Sequence, residues 1–156
     1  MGIAITLKDF LDQEGVEYEL LPHPHTSSSM QTAEAAHVPG DQLAKSVLLE
    51  DDGGYLMAVI PATHRVEIGA ISHQLNRRLG LATETEVGEL FEDCELGAIP
   101  PVGDAYGVDV ILDDSLANCP DVYFEAGDHT EVVHVSGEDF QEIMHKAHHG
   151  HISRHL

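Results

Sequence analysis

The chain has 156 residues, 42% of them hydrophobic, which suits one domain that buries a core without cross-links. Seven basic residues stand against 28 acidic ones, a formal net charge of −21, and a surface this acidic excludes strong nonspecific nucleic-acid binding by the chain alone. No apolar run reaches bilayer length, and residues 1–10 lack the basic patch and long apolar core of a secretory leader. A cytoplasmic chain with no membrane partner is therefore expected.

Thr6 reads as the N-cap of an amphipathic helix that Gly15 closes. Residues 16–21 alternate as a strand until Pro22-His23-Pro24-His25 breaks it. A short helix over 32–37 ends at Pro39-Gly40. Residues 43–50 and 55–61 read as two strands, and Asp51-Asp52-Gly53-Gly54 between them is a hairpin signal. Val66, Ile68, Ile71, Leu75 and Leu79 recur at helical spacing and predict one helix over 65–79. A second helix covers 86–91.

Residues 94–107 are irregular and rich in glycine and proline. Strands follow at 108–112, 122–125 and 130–135, and Ser136 then opens a last helix with Asp139 three residues on. Strands and helices interleaved with hairpins predict a mixed-sheet α/β or α+β domain rather than a doubly wound one. The domain is expected over 1–144. Residues 145–156, with five of the twelve histidines, read as a mobile His-rich tail.

Three features bear on chemistry. Lys45 is one of three lysines and sits in an aliphatic strand, where an ammonium is costly to desolvate unless an anionic or strongly polar group meets it. Gly97-Ala98-Ile99-Pro100-Pro101-Val102-Gly103 packs two glycines and two prolines into seven residues. The result is a rigid loop whose backbone can approach a ligand closely, or else a plain turn. His129 follows Gly127-Asp128 at a loop-to-strand junction, and His23, His25 and His64 also lie near element ends.

Other signals are missing or open. No G-x-S-x-G elbow and no phosphate-binding G-x-x-x-x-G-K-[ST] occurs. Cys94 and Cys119 form no C-x-x-C, and His145 and His149 lack the glutamate of a zinc-protease helix, so neither metal nor cofactor is predicted. Arg65, Arg77 and Arg78 surround one predicted helix and read either as a local RNA-facing patch or as salt-bridge partners.

The order of motifs is informative. His23-Pro24 follows the first strand, a Thr-Ala-Glu-Ala-Ala helix starts at Thr32, and Lys45 opens the aliphatic strand. Gly97, Pro101 and Gly103 form a G-x-x-x-P-x-G loop, and a Gly-Asp-His turn ends at His129 before a Ser-x-x-Asp-Phe helix. This arrangement resembles the YbaK-type family, free-standing relatives of the editing insertion domain of bacterial prolyl-tRNA synthetase, over about residues 6–144.

The resemblance implies a mixed β-sheet curled into a partial barrel with surrounding helices. It also implies deacylation in trans of tRNA mischarged with a small amino acid of the Ala, Ser or Cys class. Lys45 matches the family's hallmark lysine, and Gly97 and Pro101 match its glycine-proline loop; these three are the implied catalytic positions. Tyr18 and Met30 are expected to wall the pocket, with Ser46, Ala98, Ile99, Gly103, Asp128 and His129 as further substrate contacts. Ser46 stands where alanine-specific relatives often carry asparagine. The expected partner is the 3′-terminal aminoacyl-adenosine of mischarged tRNA, with a synthetase or delivery factor alongside. Two alternatives are a noncatalytic aminoacyl- or nucleotide-binding module and a small-ester hydrolase.

Overall fold

The computed structural model describes residues 3–156. In chain order the helices are α1 (Ile5–Glu14), α2 (Ser29–Ala36), α3 (Ile68–Leu75), α4 (Glu84–Leu90) and α5 (Gly137–Ile143). The strands are β1 (Glu19–Pro22), β2 (Leu43–Asp51), β3 (Gly54–Pro61), β4 (His64–Val66), β5 (Gly80–Leu81), β6 (Asp109–Asp113), β7 (Asp121–Glu125), β8 (Glu131–Ser136), β9 (His148–Gly150) and β10 (Ser153–His155).

The β2–β3 hairpin is the centre of the fold. Its antiparallel ladder runs from Ala44↔Pro61 to Asp51↔Gly54, closed by the turn that Asp51 to Gly54 signals. Leu56, Met57, Ala58, Val59 and Ile60 on β3 are all fully buried. Such an unbroken apolar run marks a strand covered on both faces. Met57 and Val59 face a large core with Leu7, Leu11, Phe91, Phe124 and Phe140. Leu56, Ala58 and Ile60 face a second core with Leu49, Ile71, Ile111 and Ile152. A third, small cluster joins Ala33, Leu43, Ala62 and Val132 under α2.

Around the hairpin the sheet runs β1-β8-β7-β2-β3-β6-β9, with β5 added to β2. The β2–β7, β3–β6 and β6–β9 pairs are parallel and the remainder antiparallel. This is a mixed α/β architecture with helices around one mixed, unclosed sheet, as the resemblance implies.

Three local expectations change. α1 begins at Ile5 with Ala4 before it and no side-chain cap; the Thr6 N–H instead bonds Asp93 Oδ2 at 2.9 Å, a contact 87 residues away. The segment expected as one helix over 65–79 starts as β4, because β10 pairs with it through Ser153↔Val66, Arg154↔Arg65 and His155↔His64. Residues 145–156 are not a detached tail. β9 extends the main sheet along β6, Ile152 fills the second core, and the Ile152 N–H bonds the buried Asp113 carboxylate at 2.9 Å. Burying an isoleucine side chain gains roughly 1.5–3 kcal/mol, enough to hold a short strand in place.

Candidate active site

The site begins with a gap in a ladder. On the edge of β2 away from β3, β7 pairs only at Leu43↔Tyr123 and Ala44↔Phe124, and β5 pairs only at Leu49↔Leu81 and Glu50↔Gly80. Lys45, Ser46 and Val47 lie between these contacts with no strand beside them. There β2 and β7 part, and a cavity of about 410 Å³ opens, within the size range of small-ligand pockets. Val47, Leu48, Met57, Val87, Phe91 and Ile99 give it apolar walls, and Ser27, Ser28 and Ser29 form a hydroxyl-rich rim.

Lys45 lines the cavity half-buried. Its Nζ donates one long hydrogen bond to Ala62 O at 3.4 Å, and no ion pair reaches it among the described residues. Burial lowers its pKa from the ordinary lysine value. An ammonium so placed in an acidic protein is available to an anionic or carbonyl oxygen.

The glycine-rich loop is held against the other side. Gly97 and Ile99 line the cavity, and the Ser46 hydroxyl donates to Ile99 O at 3.0 Å, tying loop to strand. Gly97 has φ +82°, in the left-handed region that favours glycine, and a Cβ there would lie 3.2 Å from His129 Cε1. His129 is buried behind the loop, with its Nε2 2.7 Å from Leu96 O and its backbone N–H on Glu95 Oε2 at 3.1 Å. It shapes the loop rather than lining the cavity.

The loop turns away after Ile99. Ala98 is buried and its N–H is spent on Glu95 O at 3.1 Å, while Pro101 is buried and does not line the cavity. Gly103 belongs to the opposite side, where a Cβ would come within 2.7 Å of Val108 O and of Val110 Cγ2; its smallness serves packing. Tyr18 packs on the large core, and Met30 is exposed in the first turn of α2; neither lines the cavity. Asp128 is buried and holds the β7–β8 turn, its Oδ1 accepting from the Thr130 and Glu131 N–H groups at 3.1 Å each. Arg77 is no RNA-facing cation: its guanidinium grips Asp51 through two bonds of 2.7 and 2.9 Å, and that contact holds the Asp51 carboxyl down at about 2.

The residue that strand patterns hide is Glu125. It ends β7 as the first position past the last β2–β7 rung, as Lys45 is on β2. It lines the cavity at 3% exposure, and neither carboxylate oxygen has a hydrogen-bond partner among the described residues. Burial pushes its pKa up to about 7. The other buried, unpartnered side-chain atoms among the described residues are His23 Nε2, Asp128 Oδ2 and His129 Nδ1. All belong to the same two loops, which are joined by His23 N–H to Thr130 O at 2.8 Å and Thr26 N–H to His129 O at 3.2 Å. Unpaired buried polar atoms are rare in folded proteins, and Glu125, the one of these residues that lines the cavity, makes that cavity the candidate functional site.

Residues 23–143 match the aminoacyl-tRNA editing domain. The chain belongs to this family. The match takes in Lys45, the Gly97 loop and the Glu125–His129 turn. The fold agrees closely with the crystal structure of a hypothetical protein, APE2540, with a TM-score of 0.83 and 22% identity over 96% of this chain and 99% of that one. A candidate trans-editing enzyme for prolyl tRNA synthetase gives a TM-score of 0.85 at 21% identity, covering 97% of this chain and 96% of that chain. A candidate signal transduction protein from Marinobacter aquaeolei VT8 gives 0.78 at 19% identity, over 96% of this chain but 30% of the other. At such identities the likeness is one of fold. Comparison with curated proteins gives no match. No helix among the described residues is long and apolar enough to cross a membrane.

Proposed function

We propose that this editing domain hydrolyses the ester between a small amino acid and the 3′-terminal adenosine of mischarged tRNA, acting in trans. The observation that carries the reading is Lys45: a half-buried ammonium without an ion-pair partner among the described residues, lining a cavity beside the Gly97 loop. An aminoacyl ester is already activated, so the site need supply little beyond orientation and stabilisation of developing negative charge.

In the reading proposed, the Lys45 ammonium holds the terminal phosphate or an ester oxygen. The backbone at Gly97 and Ile99 sets the position of the carbonyl, and His129 keeps Gly97 in place from behind. A water attacks the ester carbonyl, directly or after a neighbouring ribose hydroxyl has taken over the acyl group; the acyl–oxygen bond breaks, the ribose oxygen takes up the proton the water gives up, and free amino acid and tRNA remain. The apolar walls and the Ser46–Ile99 tie limit the space for the amino-acid side chain. Exclusion of this kind separates neighbouring side chains by about 1–3 kcal/mol per methylene. Other partners in this reading are a synthetase or a delivery factor that presents the tRNA.

Deacylation of alanyl-, seryl-, cysteinyl- and threonyl-tRNA by catalytic amounts of protein tests the reading directly. Release of free amino acid from at least one small ester is expected, and Lys45→Ala should lower that rate by about 10²-fold or more with the circular dichroism spectrum unchanged. Saturable binding without release would favour a noncatalytic module instead, and full activity in the variant would remove Lys45 from the mechanism.

A further inference from the structure

We infer that Glu125 is the subsite for the α-ammonium group of the aminoacyl ester, in the same cavity that Lys45 lines. The inference rests on the deacylase reading and deepens it by naming what the cavity recognises besides the ester.

The geometry runs from the ladder. Lys45 and Glu125 occupy matching places on two parallel strands, each the first residue beyond the rung Ala44↔Phe124 where β2 and β7 separate. Both line the cavity that fills the separation. Yet they form no ion pair with each other: the Lys45 ammonium points to Ala62 O, and both Glu125 oxygens are unpartnered. A single cavity is therefore lined by an ammonium and a buried carboxyl that form no ion pair with each other. A buried charge left unpaired is costly, and a protein that needed only packing would carry an apolar residue here.

The ligand that satisfies both groups is bipolar, with a cation at one end and anionic or ester oxygens a few bonds away. An aminoacyl ester of a nucleotide has this layout, its α-ammonium lying two bonds from the ester carbonyl carbon. A simple ester lacks the cation, and an N-acylated amino acid has lost it. His23, Asp128 and His129, in the two loops behind this end of the cavity, each keep one unpartnered buried atom, but Glu125 is the one of the four that lines it.

The experiment compares the ester that the screen shows to be cleaved with its N-acetyl derivative, on the wild-type chain and on Glu125→Gln. It adds calorimetric binding of 3′-alanylamino-3′-deoxyadenosine, an amide that resists hydrolysis, with the amine free or acetylated. The wild type should favour the free amine by about tenfold or more in kcat/KM and in affinity, the scale of one charged hydrogen bond. Glu125→Gln should lose most of that preference by weakening the free-amine substrate while leaving the acetylated one unmoved. Loss of equal size on both substrates would make Glu125 a proton acceptor in the chemistry and overturn the assignment. So would absence of any amine preference in the wild-type binding measurement, which needs no variant to fold. If the wild type releases no amino acid but still binds the free amine selectively, the deacylase reading fails and the ammonium subsite stands.

Discussion

At the scale of the residue, Glu125 ties stability to pH in a direction opposite to most carboxylates. Burial raises its pKa to about 7 from an ordinary value of 4.5. Between those values the folded chain holds a proton that the unfolded chain has released, so stability falls as pH rises through the window and levels off above it. The whole interval corresponds to about 3 kcal/mol. Glu125→Gln removes the titration while keeping the shape. Chemical denaturation should show the two proteins equally stable near pH 4 and the variant more stable by up to about 3 kcal/mol at pH 8. A gap that does not change with pH would mean the carboxylate finds a partner on ionisation. The same cost explains why a strand pattern concealed this residue. A glutamate at a strand end reads as a solvent-facing charge, and only the parting of β2 from β7 puts it in a cavity. Lys45 was legible for the opposite reason, since its neighbours in sequence are aliphatic and isolate it at once.

At the scale of the element, local signals worked where the partner is close in the chain. The β2–β3 hairpin follows from two apolar runs around Asp51 to Gly54, and α5 follows from Ser136, whose side chain accepts from Asp139 N–H at 3.1 Å. β4 was beyond such reading. Three residues cannot separate a period of 2 from one of 3.6, and their strand state is decided by β10 from the far end of the chain. The glycine-proline loop misled differently: seven adjacent residues suggested one surface, whereas Gly97 and Ile99 face the cavity and Gly103 packs under Val108.

The C-terminal segment carries a prediction at this scale. Ile152 is fully buried against Leu56, Ile60 and Ile71, and its backbone bonds both Asp113 and Glu67. Ile152→Ala should cost about 2–5 kcal/mol in denaturant unfolding, the range for deleting a large aliphatic side chain from a core. A cost under about 0.5 kcal/mol, typical of surface sites, would return residues 145–156 to the status of a detachable tail.

At the scale of the whole molecule, the problem is how a chain of net charge −21 handles a polyanion. Of its seven basic residues, Lys8, Arg77, Lys146 and Arg154 are committed to carboxylates at 2.9, 2.7, 3.6 and 3.1 Å. Lys45, Arg65 and Arg78 have no ion pair among the described residues, and Arg65 stands directly opposite Arg154 on the β4–β10 ribbon, three residues along the chain from Ala62, whose carbonyl Lys45 contacts. Like charges facing each other across strands are unfavourable in isolation and favourable beside an anion. Three available cations set a ceiling on phosphate contacts. Each neutralised phosphate contributes roughly 0.7–0.9 to the slope of log affinity against log salt, so tRNA binding by this chain should show a slope no steeper than about −3. Measuring KM for a mischarged tRNA from low to moderate salt checks this. A slope near zero would favour the small-ester hydrolase, whose substrate has no phosphate backbone to lose. A slope well beyond −3 would require cations the chain does not have free, and would place part of the tRNA grip on a second protein. Either result turns on how few cations this acidic chain leaves free: Lys45 is the one cation lining the cavity among the described residues, so a measured slope separates contacts the chain can make itself from contacts a second protein must supply.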